Sequence, residues 1–148
     1  MYFGESSYVN EYFMIKNYLT SEVIKNLKPE DLNDKQKMKE VIYKIQKEQD
    51  QKEKEVAILF LVKLFLHLIL MTYSVGLSSI IMLVESIIGL VKTSKLSTTK
   101  TGLMIDRANE TLDKLKSNGA DPKKIKACEK LIKELKAIDQ EQRKQKKA

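Results

Sequence analysis

Residues 56–91 read VAILFLVKLFLHLILMTYSVGLSSIIMLVESIIGLV, and the way this run is buried decides the fold. Its only ionisable members are Lys63, His67 and Glu85, whereas an ordinary surface helix carries polar residues around half its circumference. The surroundings of the run must therefore be apolar, either lipid or protein. A single unbroken helix of this length would reach roughly 54 Å, while a bilayer core is about 30 Å thick and takes about 17 to 25 residues per crossing. Thr72 to Gly76, with two hydroxyls, a tyrosine and a glycine, supplies the natural break. The pattern predicts an all-α protein whose central helical hairpin has arms Val56–Met71 and Leu77–Val91 and is read as a two-span transmembrane segment.

The charges fit that hairpin. Folding near Ser74 brings Lys63 and Glu85 to the same depth on facing arms, which offsets part of the cost of an unpaired charge at mid-bilayer, on the order of 3 kcal/mol. Lys63, His67, Ser74, Ser78 and Glu85 would then form a polar seam that pairs the helices. A rival geometry uses the same residues, because Lys63, Ser74 and Glu85 recur every eleven positions, as do His67, Ser78 and Gly89, giving one stripe on a continuous buried helix. The flanks carry Lys52, Lys54, Lys92, Lys95 and Lys100 around an uncharged turn, the asymmetry that places both termini on the cytoplasmic side. No secretory signal is expected, since the first apolar run starts only at residue 56.

Working outward, residues 1–55 read as amphipathic helices followed by a polar stalk. Tyr8, Tyr12, Ile15, Leu19 and Val23 give one helix face over Ser6–Lys28, and four Tyr and two Phe fall in the first eighteen residues. Tyr8, Tyr12 and Phe13 are thus a candidate aromatic docking face for a partner or a membrane interface, with packing inside the protein or on a second copy as the plainer use. Pro29 ends that helix. Asn33 or Asp34 caps a second one carrying Met38, Val41, Ile42 and Ile45, and Gln46–Glu55 is read as a solvated stalk running straight into the hydrophobic segment.

Residues 92–102 form a Ser/Thr-rich linker, and residues 103–148 a basic αα-hairpin with a frayed tail. In its first helix Ile105, Ala108, Leu112 and Leu115 keep a 3-4-3 spacing; Asn118-Gly119 stops it and Asp121-Pro122 starts the next. Ile125, Cys128, Ile132 and Leu135 lie at coiled-coil spacing on the second helix, a face able to zip onto the first helix or to self-associate with a neighbouring chain.

Five Gly and two Pro in 148 residues leave little turn chemistry, which favours long helices over strands. With a quarter of the chain in one hydrophobic segment, the remaining pieces are expected to be too small for cores of their own and to lean on partners. One Cys and one His, sixty residues apart, with no Gly-rich phosphate loop and no metal or nucleophile motif, argue against an enzyme and imply no cofactor. The net charge of +7 suits an anionic membrane surface; nucleic acid is disfavoured because acidic residues are interspersed with the lysines and the C-terminal region has no aromatic stacking residue.

The expected function is that of a non-enzymatic helical membrane protein acting by assembly, as a small structural or accessory subunit of a larger complex or as a homo-oligomer. Its partners would be the lipid bilayer and other helical faces. Two alternatives share the same residues: a soluble structural component of a large assembly such as a phage virion or injection machine, and a holin-like pore former lined by the polar seam. The plan of two short spans with charged ends resembles that of small phage lysis proteins and accessory subunits of membrane complexes.

Overall fold

The computed structural model of the chain describes residues 17–71 and 77–147. Among these residues the fold is all-α. A short α1 (Glu22–Lys25) and a 3-10 turn (Pro29–Asn33) lead into α2 (Lys35–Lys47), α3 (Gln51–Leu70), α4 (Leu77–Ser94), α5 (Thr98–Ser117) and α6 (Pro122–Lys147).

Side-chain caps set most of the boundaries, satisfying amide groups that a helix start leaves open. Ser21 accepts from the Ile24 amide, Asp34 from those of Gln36 and Lys37, Asp50 from that of Glu53, Ser97 from that of Lys100, and Asp121 from that of Lys123. Gly119, at φ +63°, closes α5 in the left-handed conformation that glycine adopts without a steric penalty.

Three of these caps correct the expected boundaries. The described part of the first predicted helix is broken at Leu19–Ser21, where Ser21 restarts it as α1. The stalk is not continuous: α2 stops at Lys47, and Asp50 opens α3 in a new direction. The Ser/Thr-rich linker shrinks to Lys95, Leu96 and Ser97, because α4 runs on to Ser94 and Ser97 caps α5 at once. The sequence weighed helix propensity along these stretches, while a single Asp or Ser carboxylate or hydroxyl decided where each helix began.

The apolar run folds as two helices that return on one another. Gln51 Nε2, at the start of α3, donates to Ser94 O at 2.7 Å, at the end of α4, so the pair is antiparallel. α5 and α6 make a second hairpin, and the two hairpins pack α3 on α5 and α4 on α6. Lys124 Nζ donates to Met71 O at 2.8 Å at one end, and Gln142 Nε2 to Leu96 O at 2.7 Å at the other. Across the open side of α3 lie the 3-10 turn and α2.

Those contacts explain why α3 is apolar all round. From Val56 to Ile69 every residue except His67 is buried, Phe60 and Phe65 completely, because α4, α5 and the α2 layer cover the helix from three directions. The N-terminal layer and the C-terminal hairpin both pack on this central helix. The transmembrane hairpin receives no support: among the described residues no helix is long and apolar enough to cross a membrane. The break after Met71 leaves α3 an apolar stretch of Val56–Leu70, roughly 22 Å long against a hydrocarbon core of about 30 Å, and Lys63 and His67 interrupt it.

The C-terminal hairpin stands, with one face rotated. α5 buries Thr101, Met104, Ala108, Thr111 and Leu115, while Ile105 and Leu112 are only half-buried. Two threonines enter the core because each hydroxyl bonds back to the preceding turn, Thr101 Oγ1 to Ser97 O at 3.1 Å and Thr111 Oγ1 to Arg107 O at 3.0 Å, leaving a methyl group to pack.

Candidate functional site

α4 differs from α3 in having one uncovered flank. Ile80, Leu83, Val84, Ile87, Ile88, Leu90 and Val91 are buried against the bundle, but Ile81 and Met82 are 38% and 48% exposed. Ile80-Ile81-Met82-Leu83 places four apolar residues over one full turn, more than a single buried face accommodates.

Facing this flank is α2. Met38, Val41 and Ile45 turn inward onto α3 and α4, and Leu32 of the 3-10 turn packs beneath them. The two walls do not close completely. They leave an apolar groove of about 160 Å³, floored by Leu32, Met38, Ile42, Met82 and Leu83, with Ser86 at one end. Asn33, Lys35 and Lys39 form the rim.

The rim is basic because lysines outnumber carboxylates around it, and two of the nearby carboxylates are engaged elsewhere, although Glu40 beside Lys39 has no ion pair among the described residues. Asp31 Oδ2 accepts from the Lys28 amide at 2.9 Å and Oδ1 pairs with Lys37 at 3.3 Å; that amide bond, ahead of the Lys37 contact, holds the Asp31 carboxyl below its ordinary pKa. Asp34 caps α2. Lys44 pairs with Glu48. Among the described residues Lys35 and Lys39 have no carboxylate partner and lie one helical turn apart, both exposed.

A second hollow lies at the far end of the bundle between α3, α6 and the α4–α5 corner, and several of its polar side chains hold that corner together. Lys92 approaches Glu134 at 3.8 Å, Gln51 and Gln142 donate to the corner carbonyls of Ser94 and Leu96, and Lys95 turns that corner at φ +50°. Among the described residues there is no cluster of three His, Cys, Asp or Glu side chains able to hold a metal ion.

The residues singled out from the sequence are dispersed. Lys63 is buried at 7% exposure on α3, whereas His67 one turn later is exposed. Glu85 is exposed on α4 and pairs with Lys130 of α6 at 3.2 Å. Ser74 lies outside the described residues, and Ser78 falls in the first turn of α4, its side chain outside the description. Tyr8, Tyr12 and Phe13 also lie outside the described residues. Of the self-association face, Cys128, Ile132 and Leu135 are buried within the chain and Ile125 is half-buried, so most of that face is occupied by intrachain packing. Cys128 Sγ donates to Ala108 O at 3.4 Å, and burial, with Glu129 adding to it, pushes the thiol pKa up to about 12.

Sequence reasoning missed the groove. Met38 and Ile42, four apart on α2, and the apolar surplus at Ile81-Met82 were its only traces, and nothing in the sequence showed that they face each other. Fold and groove together define a small all-α bundle of two packed hairpins with a covering N-terminal layer. Comparison with protein-family models, with curated proteins and with solved structures found no match.

Proposed function

We propose that this chain acts without catalysis, by assembly, as a small structural or accessory subunit of a larger protein complex or as a homo-oligomer. The observation that carries the reading is the apolar groove, unfilled among the described residues, beside the exposed Ile81 and Met82. In a chain that covers α3 almost completely, a neighbouring helix left partly bare is the surface on which another protein would gain hydrophobic burial. The lipid-embedded form of the same role is the weaker version, since no described helix has the length and apolarity to carry it.

The test is the native mass of the chain. Extracts of cells producing it at its own level, separated by gel filtration and probed by antibody, should show it well above its monomer mass of 17.1 kDa. Elution as a monomer there, together with a monomer by light scattering of the purified chain at about 100 µM, well above a micromolar dissociation constant, would overturn the assembly reading. Retention in the pellet after alkaline carbonate washing would instead restore the membrane form.

A further inference from the structure

We propose that the groove between α2 and α4 receives an acidic amphipathic helix of a protein partner, its apolar side chains seated between Met38, Ile42 and Met82 and its carboxylates on Lys35 and Lys39. The proposal rests on the assembly reading and deepens it by naming the chemistry of the partner.

The floor and the rim choose that partner in different ways. Leu32, Met38, Ile42, Met82 and Leu83 offer a concave apolar surface, and a space of about 160 Å³ takes large side chains rather than a flat sheet of lipid. Two of the five floor residues are methionines, whose unbranched thioethers re-pack around an incoming side chain. A helix-shaped ligand presents such anchors at i, i+3 or i+4 and i+7 along one face.

The sign of the partner follows from the rim. α2 carries five lysines against one glutamate in thirteen residues. Asp31 and Asp34 are committed to backbone amides and to Lys37, and Glu48 to Lys44, so that Lys35 and Lys39 on the lip of the groove have no ion pair among the described residues and only Glu40, beside Lys39, as an uncommitted carboxylate on α2. Their four-residue spacing sets the two ammonium groups about one helical turn apart, matching carboxylates three or four residues apart on a facing helix. An anionic bilayer would also be drawn to these lysines, but a flat surface resting on Ile81 and Met82 would not reach Ile42 and Met38 within the groove.

The probe is a fluorescein-labelled helical peptide of about sixteen residues with leucines at heptad a and d positions and glutamates flanking them, alongside a twin with lysine at every glutamate; heptad spacing sets the apolar face. Titrated with the full chain, the acidic peptide should bind at least roughly tenfold more tightly than its twin. Met82→Glu, at a half-exposed position, should weaken the acidic peptide by roughly tenfold with an unchanged circular dichroism melt, and the double variant Lys35→Glu, Lys39→Glu should reverse the preference between the twins. Equal affinity for the twins, or binding indifferent to Met82→Glu, would overturn the proposal. So would a chain that ignores the acidic peptide and instead binds 3:1 phosphatidylcholine–phosphatidylserine vesicles through Met82. The two readings fail separately: if Met82→Glu and the double variant both keep the native high-mass complex, assembly survives and the groove is not its site.

Discussion

α3 and α4 both draw on the apolar run at residues 56–91, yet they occupy different environments. α3 is enclosed on three sides and buries nearly every side chain from Val56 to Ile69, whereas α4 has a bundle face and a bare flank at Ile81, Met82 and Glu85. The difference arises from where the N-terminal layer falls. The 3-10 turn and α2 lie mainly on α3 and reach only the edge of α4, leaving the groove between them. Two helices drawn from one apolar run can thus be the scaffold and the exposed surface of the same molecule.

Truncating each helix at a large side chain should separate the two environments most clearly. Phe60→Ala or Phe65→Ala, both fully buried, should cost about 3–5 kcal/mol in urea unfolding, enough to unfold a marginal domain, while Met82→Ala should stay within about 0.5 kcal/mol. Equal losses at the two sites would show that α4 is as enclosed as α3.

Cys128 tests the enclosure of the second hairpin. Its thiol should resist a disulfide reagent at pH 8 in the folded chain and react at the rate set by unfolding as urea is added, whereas prompt reaction in the native state would contradict its burial. Because its folded pKa is raised from 9.0 to about 12, the unfolded chain gives up this proton first. Its contribution is full below pH 9.0 and is lost as pH rises from there toward about 12, so Cys128→Ser should flatten the alkaline limb of stability against pH.

Smaller effects should mark the boundaries. Asp50→Ala removes the cap that separates α2 from α3 and should cost about 1 kcal/mol in the same urea assay. Glu85→Gln breaks an exposed ion pair with Lys130 and should change stability by less than about 1 kcal/mol, with the difference vanishing at high salt. A large loss there would mean that Glu85 has a partner beyond Lys130 and would revive the polar seam.

Much of the fold was legible in the residues. Few Gly and Pro implied helices, Thr72–Gly76 marked the division of the apolar run, and Asn118-Gly119-Asp121-Pro122 placed the corner of the C-terminal hairpin. The short connections were harder to read, because Asp50 and Ser97 each cap a helix within a stretch whose neighbours also favour helix or linker. The buried face of α5 was read incompletely for a related reason, since Ala108 and Leu115 are in the core and Ile105 and Leu112 pack against it, but the threonines beside them were not expected there. Thr101 and Thr111 look polar in a sequence, but bonds to the turn behind, with Gln142 Oε1 as a second partner for Thr101, let them pack.

The candidate site was scarcely legible at all. Lys63, His67 and Glu85 attracted attention because a charge in an apolar run is costly in lipid, but in this fold one is buried, one is exposed, and one is paired across the surface to α6. The groove joins residues 32–42 to residues 82–86, about forty positions apart, and no local pattern reports such a meeting.

By itself the sequence determined the helical class, the position of the central break, and the requirement that most apolar side chains of residues 56–91 be hidden from water, since those follow from local torsional preference and from the apolarity of consecutive side chains. What hides them was decided only by the tertiary structure. Burial depends on which distant segments arrive at each face, and here the N-terminal layer and the C-terminal hairpin enclose α3 while leaving one flank of α4 open.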